Sequence, residues 1–154
     1  MKEQTCCFTG HRTIPQAEAS RLNAALSTAI AELVQKGVVY FRNGGALGFD
    51  TAAALAVLDC KKRNPHIMLI MDLPCAGQSR GWDEKSKAVY NFILESADEV
   101  HIHAPHYYNG CMQYRNRYMV DHSAYLIAYQ TADFGGSAYT VRYAQSQGLT
   151  VIRL

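Results

Sequence analysis

The sequence predicts an α/β fold: a mostly parallel sheet of about six strands with helices on both faces. Three observations predict it. Short apolar runs alternate with longer amphipathic stretches along the 154 residues. The run from His66 to Leu73 is apolar nearly throughout, as a parallel strand covered on both faces requires. Each unusual glycine-bearing segment falls between a strand and a helix, where right-handed crossovers begin. The length suits one domain, residues 1–154.

Residues 4–8 (QTCCF) read as the first strand, after which Thr9, Gly10, His11 and Arg12 turn the chain. Thr13 and Gln16 have capping-box spacing, with Pro15 in the first turn, where its missing N–H does no harm. Leu22, Leu26, Ala29, Ile30 and Leu33 recur at spacings of three and four, which predicts a helix over 15–36. Gly37 ends it, as a C-terminal glycine should. Val38–Phe41 is a second short strand, followed by NGGALGFD and an Ala-rich helix from Thr51 to Leu58. His66–Leu73 is the third strand. A loop over 74–81 leads to a helix over 82–97 and a fourth strand over 99–103. A loop (APHYYNGC) precedes a polar helix over 112–123, and Tyr125–Tyr129 is the fifth strand. DFGGS opens a last helix, 137–147, which Gly148 terminates; 149–154 is the sixth strand.

Composition narrows the function. Hydrophobic residues make up 49% and charged residues 18%, enough for a core and too little charge for disorder. The longest pure apolar run, Ile67–Met71, ends at Asp72, far short of the ~20 residues that cross a bilayer. The N-terminus has no apolar signal region, so a cytoplasmic location and no membrane partner are expected. Net charge is +2 and the cations are scattered; the densest group, Lys61, Lys62 and Arg63, sits at a helix end, where cations face the negative end of the dipole. That distribution disfavours a nucleic-acid partner. The five cysteines contain no CxxC and read as small buried hydrophobes. Only Cys111, four residues before Arg115, has a hint of an electropositive niche.

In parallel α/β sheets, ligands bind beyond the carboxyl ends of the strands, and the unusual residues fall there. A glycine-rich turn that opens a helix presents unpaired N–H groups at the positive end of a dipole, an anion site. Asn43–Gly48 and Gly135–Ser137 are two such turns, and Gly10 marks a third place, where His11 and Arg12 add donors. Arg12 suits a phosphate, bidentate and permanently charged. Arg115, Asn116 and Asp121 are expected near the start of the polar helix, with at most one of Arg115 and Arg117 facing the crevice. Asp121 reads as a base, a ribose ligand or a structural acceptor. Asp50, in a helix first turn, would repel phosphate but accept from ribose hydroxyls. His101, His103 and His106 raise a metal, yet no carboxylate or Cys ligand stands beside them, and no metal is expected. Trp82, Tyr107, Tyr108 and Tyr114 border the loops, placed either to stack on a base or simply to pack.

CCFTGHR, NGGALGFD, GCMQYRNRYMVDHS and GGSAYTVRYA, in that order, resemble the YpsA-like proteins of the SLOG superfamily, from Cys6 to about Ala144. That superfamily also contains the DprA/Smf DNA-processing proteins and the LOG phosphoribohydrolases. The resemblance implies a Rossmann-like, doubly wound fold that binds a nucleotide or nucleotide-derived ligand of the ADP-ribose kind, as a sensor or carrier. No cofactor is required beyond a bound nucleotide, and self-association is an expectation because related SLOG proteins often form dimers. The expected ligand-binding set is Thr9, Gly10, His11, Arg12, Asn43, Gly44, Gly45, Gly48, Asp50, Arg115, Asn116, Gly135, Gly136, Ser137 and Thr140. Within it, Asp50 and Asn116 would hold ribose hydroxyls and Thr140 would reach the phosphate.

The LOG branch implies an alternative, hydrolysis of the N-glycosidic bond of a nucleoside monophosphate. Its GGGxxGLM turn resembles Asn43–Asp50, and its MxxRK segment resembles Met112–Asn116, which puts the family's catalytic arginine on Arg115; Asp121 is a further catalytic candidate. Its PGGxGTxxE motif resembles the stretch from Phe134 to Arg142. There an ungapped reading sets Arg142 in place of the catalytic glutamate, and a one-residue insertion sets Tyr143. Glycosidic cleavage passes through an oxocarbenium-like state that a carboxylate stabilises and an arginine opposes. The DprA branch implies a third reading, single-stranded DNA held along a basic, aromatic groove.

Overall fold

Strand and helix alternate throughout the computed structural model, which describes residues 2–154. A short 3₁₀ turn (Lys2–Gln4) enters β1 (Thr5–Gly10), and α1 (Gln16–Gln35), β2 (Tyr40–Asn43), α2 (Phe49–Lys61) and β3 (Met68–Leu73) follow. Then come α3 (Glu84–Ser96), β4 (Glu99–Ile102), α4 (Cys111–Asp121), β5 (Tyr125–Tyr129), α5 (Gly136–Ser146) and β6 (Thr150–Arg153). All six strands are parallel, in the order β4-β3-β2-β1-β5-β6. The chain winds outward from β1 to β4, then returns to the other side of β1 for β5 and β6. The strand order therefore reverses between β1 and β5.

Adjacent residues of β1 face opposite layers, because side chains alternate along a strand. Cys6 and Phe8 join a core with Leu22, Leu26, Ile30 and Leu33 of α1, Phe49, Ala53 and Val57 of α2, and Tyr90 and Ile93 of α3. Cys7 joins the other, with Met119 and Val120 of α4 and Val141 and Ala144 of α5. Helices thus cover both faces, and all five cysteines are buried free thiols. No helix among the described residues is long and apolar enough to cross a membrane.

Three local expectations change. The Thr13–Gln16 capping box does not form. Pro15 is the N-cap, with no side-chain cap bond, and its carbonyl accepts from the Glu18 N–H at 2.9 Å. That leaves Thr13 two positions upstream of the cap, out of reach of the first-turn donors. The second strand starts later, at Tyr40, because the Val38 N–H is used to close α1 on the Leu33 carbonyl at 3.0 Å. The first strand runs on to Gly10, which pairs with Tyr129, so Thr9 and Gly10 belong to the sheet and the turn begins at His11.

Candidate functional site

A pocket of about 310 Å³ opens at the carboxyl ends of β1 and β5, where the strand order reverses. One wall is Phe8 to Arg12 from β1 and its loop, and another is Phe134 to Ser137, leading into α5. Ala46 and Asp50 close it from the β2–α2 turn, and Met112, Arg115 and Asn116 from α4. Four chain segments far apart in sequence meet because all four follow parallel strands and so emerge on one end of the sheet. A larger cavity of about 550 Å³ lies between α1, α2 and α3, lined by Leu47, Leu55 and Val89 with Asn23, Ser27, Thr51, Lys85 and Ser86, none of them buried. The smaller pocket holds the chemistry.

Close backbone packing sets its shape. Gly48 is the N-cap of α2 at φ +78°, and a Cβ there would run into the Arg12 carbonyl. The gap lets the Phe49 N–H donate to the His11 carbonyl at 3.0 Å, which seats the β1–α1 loop on the start of α2. His11 then ties that loop to the β5–α5 loop: its Nε2 accepts from the Thr131 N–H at 2.7 Å and meets Thr131 Oγ1 at 2.8 Å. The exposed Arg12 reaches across, with Nη2 3.9 Å from Met112 Sδ.

Arg115 is the buried cation of the pocket, 3% exposed. Its Nη1 donates to the carbonyls of Gly44 and Asp72, the latter at 3.2 Å, and its Nε to Asn116 Oδ1 at 2.8 Å. Nη2 meets only a thioether among the described residues, Met112 Sδ at 3.7 Å. No carboxylate forms a salt bridge with it among those residues. A guanidinium fixed on neutral carbonyls keeps its charge available to an anion. Burial lowers its pKa, with Asp50 and Asp72 opposing that shift.

Asp50 is the facing carboxylate. It is buried, and its Oδ2 accepts from the Ala46 N–H at 3.2 Å. Desolvation raises its pKa, against the pull of Arg115, the Ala46 N–H and Arg12. It is thus an acceptor that takes a proton more readily than an exposed Asp.

The expected residues divide. Thr9, Gly10, His11, Arg12, Asp50, Arg115, Asn116, Gly135, Gly136 and Ser137 line the pocket together. Asn43 is fully buried and braces the turn instead, with Nδ2 donating to the Asp50 carbonyl and Oδ1 accepting from the Gly45 N–H, both at 2.8 Å. The Gly45 N–H is therefore spent inside the turn. Gly44 offers its carbonyl to Arg115 and to Gln78 Nε2, and Gly48 lines the larger cavity. Thr140 is buried and bonds back to the Gly136 carbonyl at 2.9 Å. Asp121 is the last residue of α4, not near its start, so it lies at the amino-terminal end of the sheet. There it accepts from Tyr143 Oη at 2.7 Å. Arg117 points away from the pocket, onto Tyr139. Arg142 is exposed and donates to the Asp133 carbonyl, so neither Arg142 nor Tyr143 lines the pocket.

Phe8, Ala46, Met112 and Phe134 line the pocket outside the expected set. Phe134 is 79% exposed, and an apolar ring immediately before Gly135–Gly136 was the available signal. The histidines find carboxylates: His101 bonds Glu99, and His103 bonds Asp72, each at 2.9 Å.

The family model of the YspA SLOG family (YpsA) matches residues 7–150. The chain belongs to this family. It is 33% identical to the SPbeta prophage-derived protein YoqJ of Bacillus subtilis over 138 residues, 81% of each chain. To a UPF0398 protein of Halalkalibacterium halodurans it is 33% identical over 129 residues, 82% of this chain and 68% of that one. Its fold resembles DNA processing protein A of Streptococcus pneumoniae, with TM-score 0.68 at 18% identity over 99% of this chain. It also resembles DNA processing protein A of Helicobacter pylori, whose structure is described for its single-stranded DNA binding mode, with TM-score 0.69 at 20% identity. The chain spans 50% and 65% of those two proteins, and the likeness carries the Rossmann-like fold alone.

Proposed function

We propose that this SLOG protein binds a nucleotide or nucleotide-derived ligand of the ADP-ribose kind at the β1/β5 pocket. The observation that carries the reading is Arg115, buried yet without a carboxylate partner among the described residues, in a pocket at the strand-order reversal. The start of α5 at Gly136, with Gly135 as its N-cap, supplies N–H donors and the positive dipole end for a phosphate. Asp50 and Asn116 stand where a ribose would follow, as acceptors for its hydroxyls. A sensor or carrier role fits better than hydrolysis, because Arg142 and Tyr143 stand outside the pocket.

A thermal-shift screen with AMP, ADP, ADP-ribose and short single-stranded DNA tests this. A nucleotide at 100 times its dissociation constant adds about 2.7 kcal/mol of stability. Hits are incubated overnight and checked by chromatography for free base, which should be absent. Base release would assign the missing carboxylate's work to Asp50. Affinity for a mononucleotide should fall only gently with salt; a steep fall, with oligonucleotide preferred, would favour DNA binding.

A further inference from the structure

The β1/β5 pocket does not end at Met112. Arg12, Ala46 and Met112 also wall a notch of about 60 Å³, which Gln78 and Trp82 close on its other side. Gln78 and Met112 in turn wall a hollow of about 360 Å³ over the β3–α3 loop, whose far side is Arg80, His106 and Tyr107. Shared walls make the three hollows one trough across the carboxyl end of the sheet. Exposed rings stand at its two ends: Phe134 at 79% and Tyr107 at 63%. The cations lie between them, Arg12 and Arg115 both against the Met112 thioether, with Arg80 beyond.

Gln78 fixes the middle of the trough. Its Nε2 donates to the Gly44 carbonyl at 3.2 Å, and its Oε1 accepts from Tyr90 Oη at 3.0 Å. That one side chain ties the β3–α3 loop to the β2–α2 turn and to α3. A single nucleotide uses one ring and one half of such a trough. A ligand with rings at both ends and charge in the middle uses all of it.

Resting on the nucleotide reading, we propose that the hollow at Tyr107 is a second ring subsite. The ligand class is then a soluble dinucleotide: two ring systems joined by a pyrophosphate, with Phe134 and Tyr107 stacking on its ends and Arg12 near the bridge.

Calorimetry with AMP, nicotinamide adenine dinucleotide, diadenosine diphosphate and a ten-residue oligo-dT tests this on the wild type, Tyr107→Ala, Tyr107→Phe and Phe134→Ala. Tyr107 is exposed, and a thermal melt verifies that each variant folds. The two dinucleotides should bind the wild type at least tenfold more tightly than AMP, in line with the worth of one stacked base. Tyr107→Ala should remove that advantage and leave AMP unchanged, Tyr107→Phe should keep it, and Phe134→Ala should weaken all three. Equal affinity for AMP and the dinucleotides, or a Tyr107→Ala effect shared by AMP, overturns the second subsite alone. Failure of every nucleotide to bind the wild type overturns the parent reading with it. Oligo-dT binding more tightly than either dinucleotide, and weakened by Tyr107→Ala, overturns the soluble-ligand class.

Discussion

Arg115 donates into the Gly44 carbonyl, joining α4 to the β2–α2 turn across 71 positions of sequence. The contact exists because residue 44 has no side chain: a Cβ on Gly44 would stand 2.6 Å from Arg115 Cζ. Gly44 is not in the left-handed region, so Gly44→Ala strains the guanidinium and not the backbone. It should leave the fold intact, swing Arg115 off its carbonyls and weaken nucleotide binding by about tenfold, the loss of one charge-assisted contact. Titration calorimetry beside a thermal melt reads the two effects separately. Arg115→Ala should be worse on both counts, because it strips buried carbonyls of a donor at about 1–3 kcal/mol each.

Asp50 gives the protein a pH dependence of definite sign. Its folded pKa lies above the ordinary 3.8 because burial disfavours the anion. Above that raised value the native state holds a buried carboxylate that the unfolded chain would keep in water, and stability is reduced. The penalty fades as pH falls through the folded pKa and is gone below 3.8. Asp50→Asn, which keeps an acceptor for the Ala46 N–H, should raise the melting temperature at pH 7. The gain over wild type should shrink steadily as the melts are taken down toward pH 4. A gain that does not vary with pH would deny the carboxylate this role.

Asp72 holds the polar side of β2–β4 together. It is fully buried, takes Arg42 Nη1 on both oxygens at 3.0 and 2.9 Å, and bonds His103 Nε2 at 2.9 Å. Arg42 in turn lies over the Tyr118 ring of α4. Asp72→Ala should cost about 3–5 kcal/mol, since removing one member of a buried pair strands the other charge. Urea unfolding should show this as a lower midpoint at unchanged slope.

His11 is the clasp between the two loops that wall the pocket. Taking away its acceptor for the Thr131 N–H frees the β5–α5 loop without touching the core. His11→Ala should speed amide exchange by about fivefold at Thr131 and its loop neighbours, the worth of one hydrogen bond of ~1 kcal/mol. Exchange in β1 and β5 should stay as in the wild type, and nucleotide affinity should fall.

Much of the fold was legible because its signals are local. Spacings of three and four in α1, the unbroken apolar run before Asp72 and the glycines that end α1 and α5 placed the strands and helices within a few residues. The errors were also local: the Val38 N–H is claimed by the end of α1, and Pro15 displaces Thr13 from the cap. The site was legible by type more than by role. Gly135, Gly136, Ser137, Arg12, Asp50 and Arg115 do meet in one pocket. Asn43, Gly45 and Thr140 share their motifs but turn inward: Asn43 holds the Asp50 carbonyl and the Gly45 N–H, and Thr140 bonds back to the Gly136 carbonyl.

By itself the sequence determined the alternation of strands and helices, the family, and which loops carry glycine and charge. These follow from periodicity, composition and motif order, all written along the chain. Tertiary structure alone decided the strand order that brings β1 beside β5, and with it the meeting of the His11, Asp50, Arg115 and Gly135 segments. It also decided that Asp121 stands at the far end of the sheet and that Phe134 and Tyr107 bracket one trough. The reason is physical: whether a polar group faces a ligand or a neighbouring carbonyl depends on which distant backbone groups need a partner, and packing sets that list.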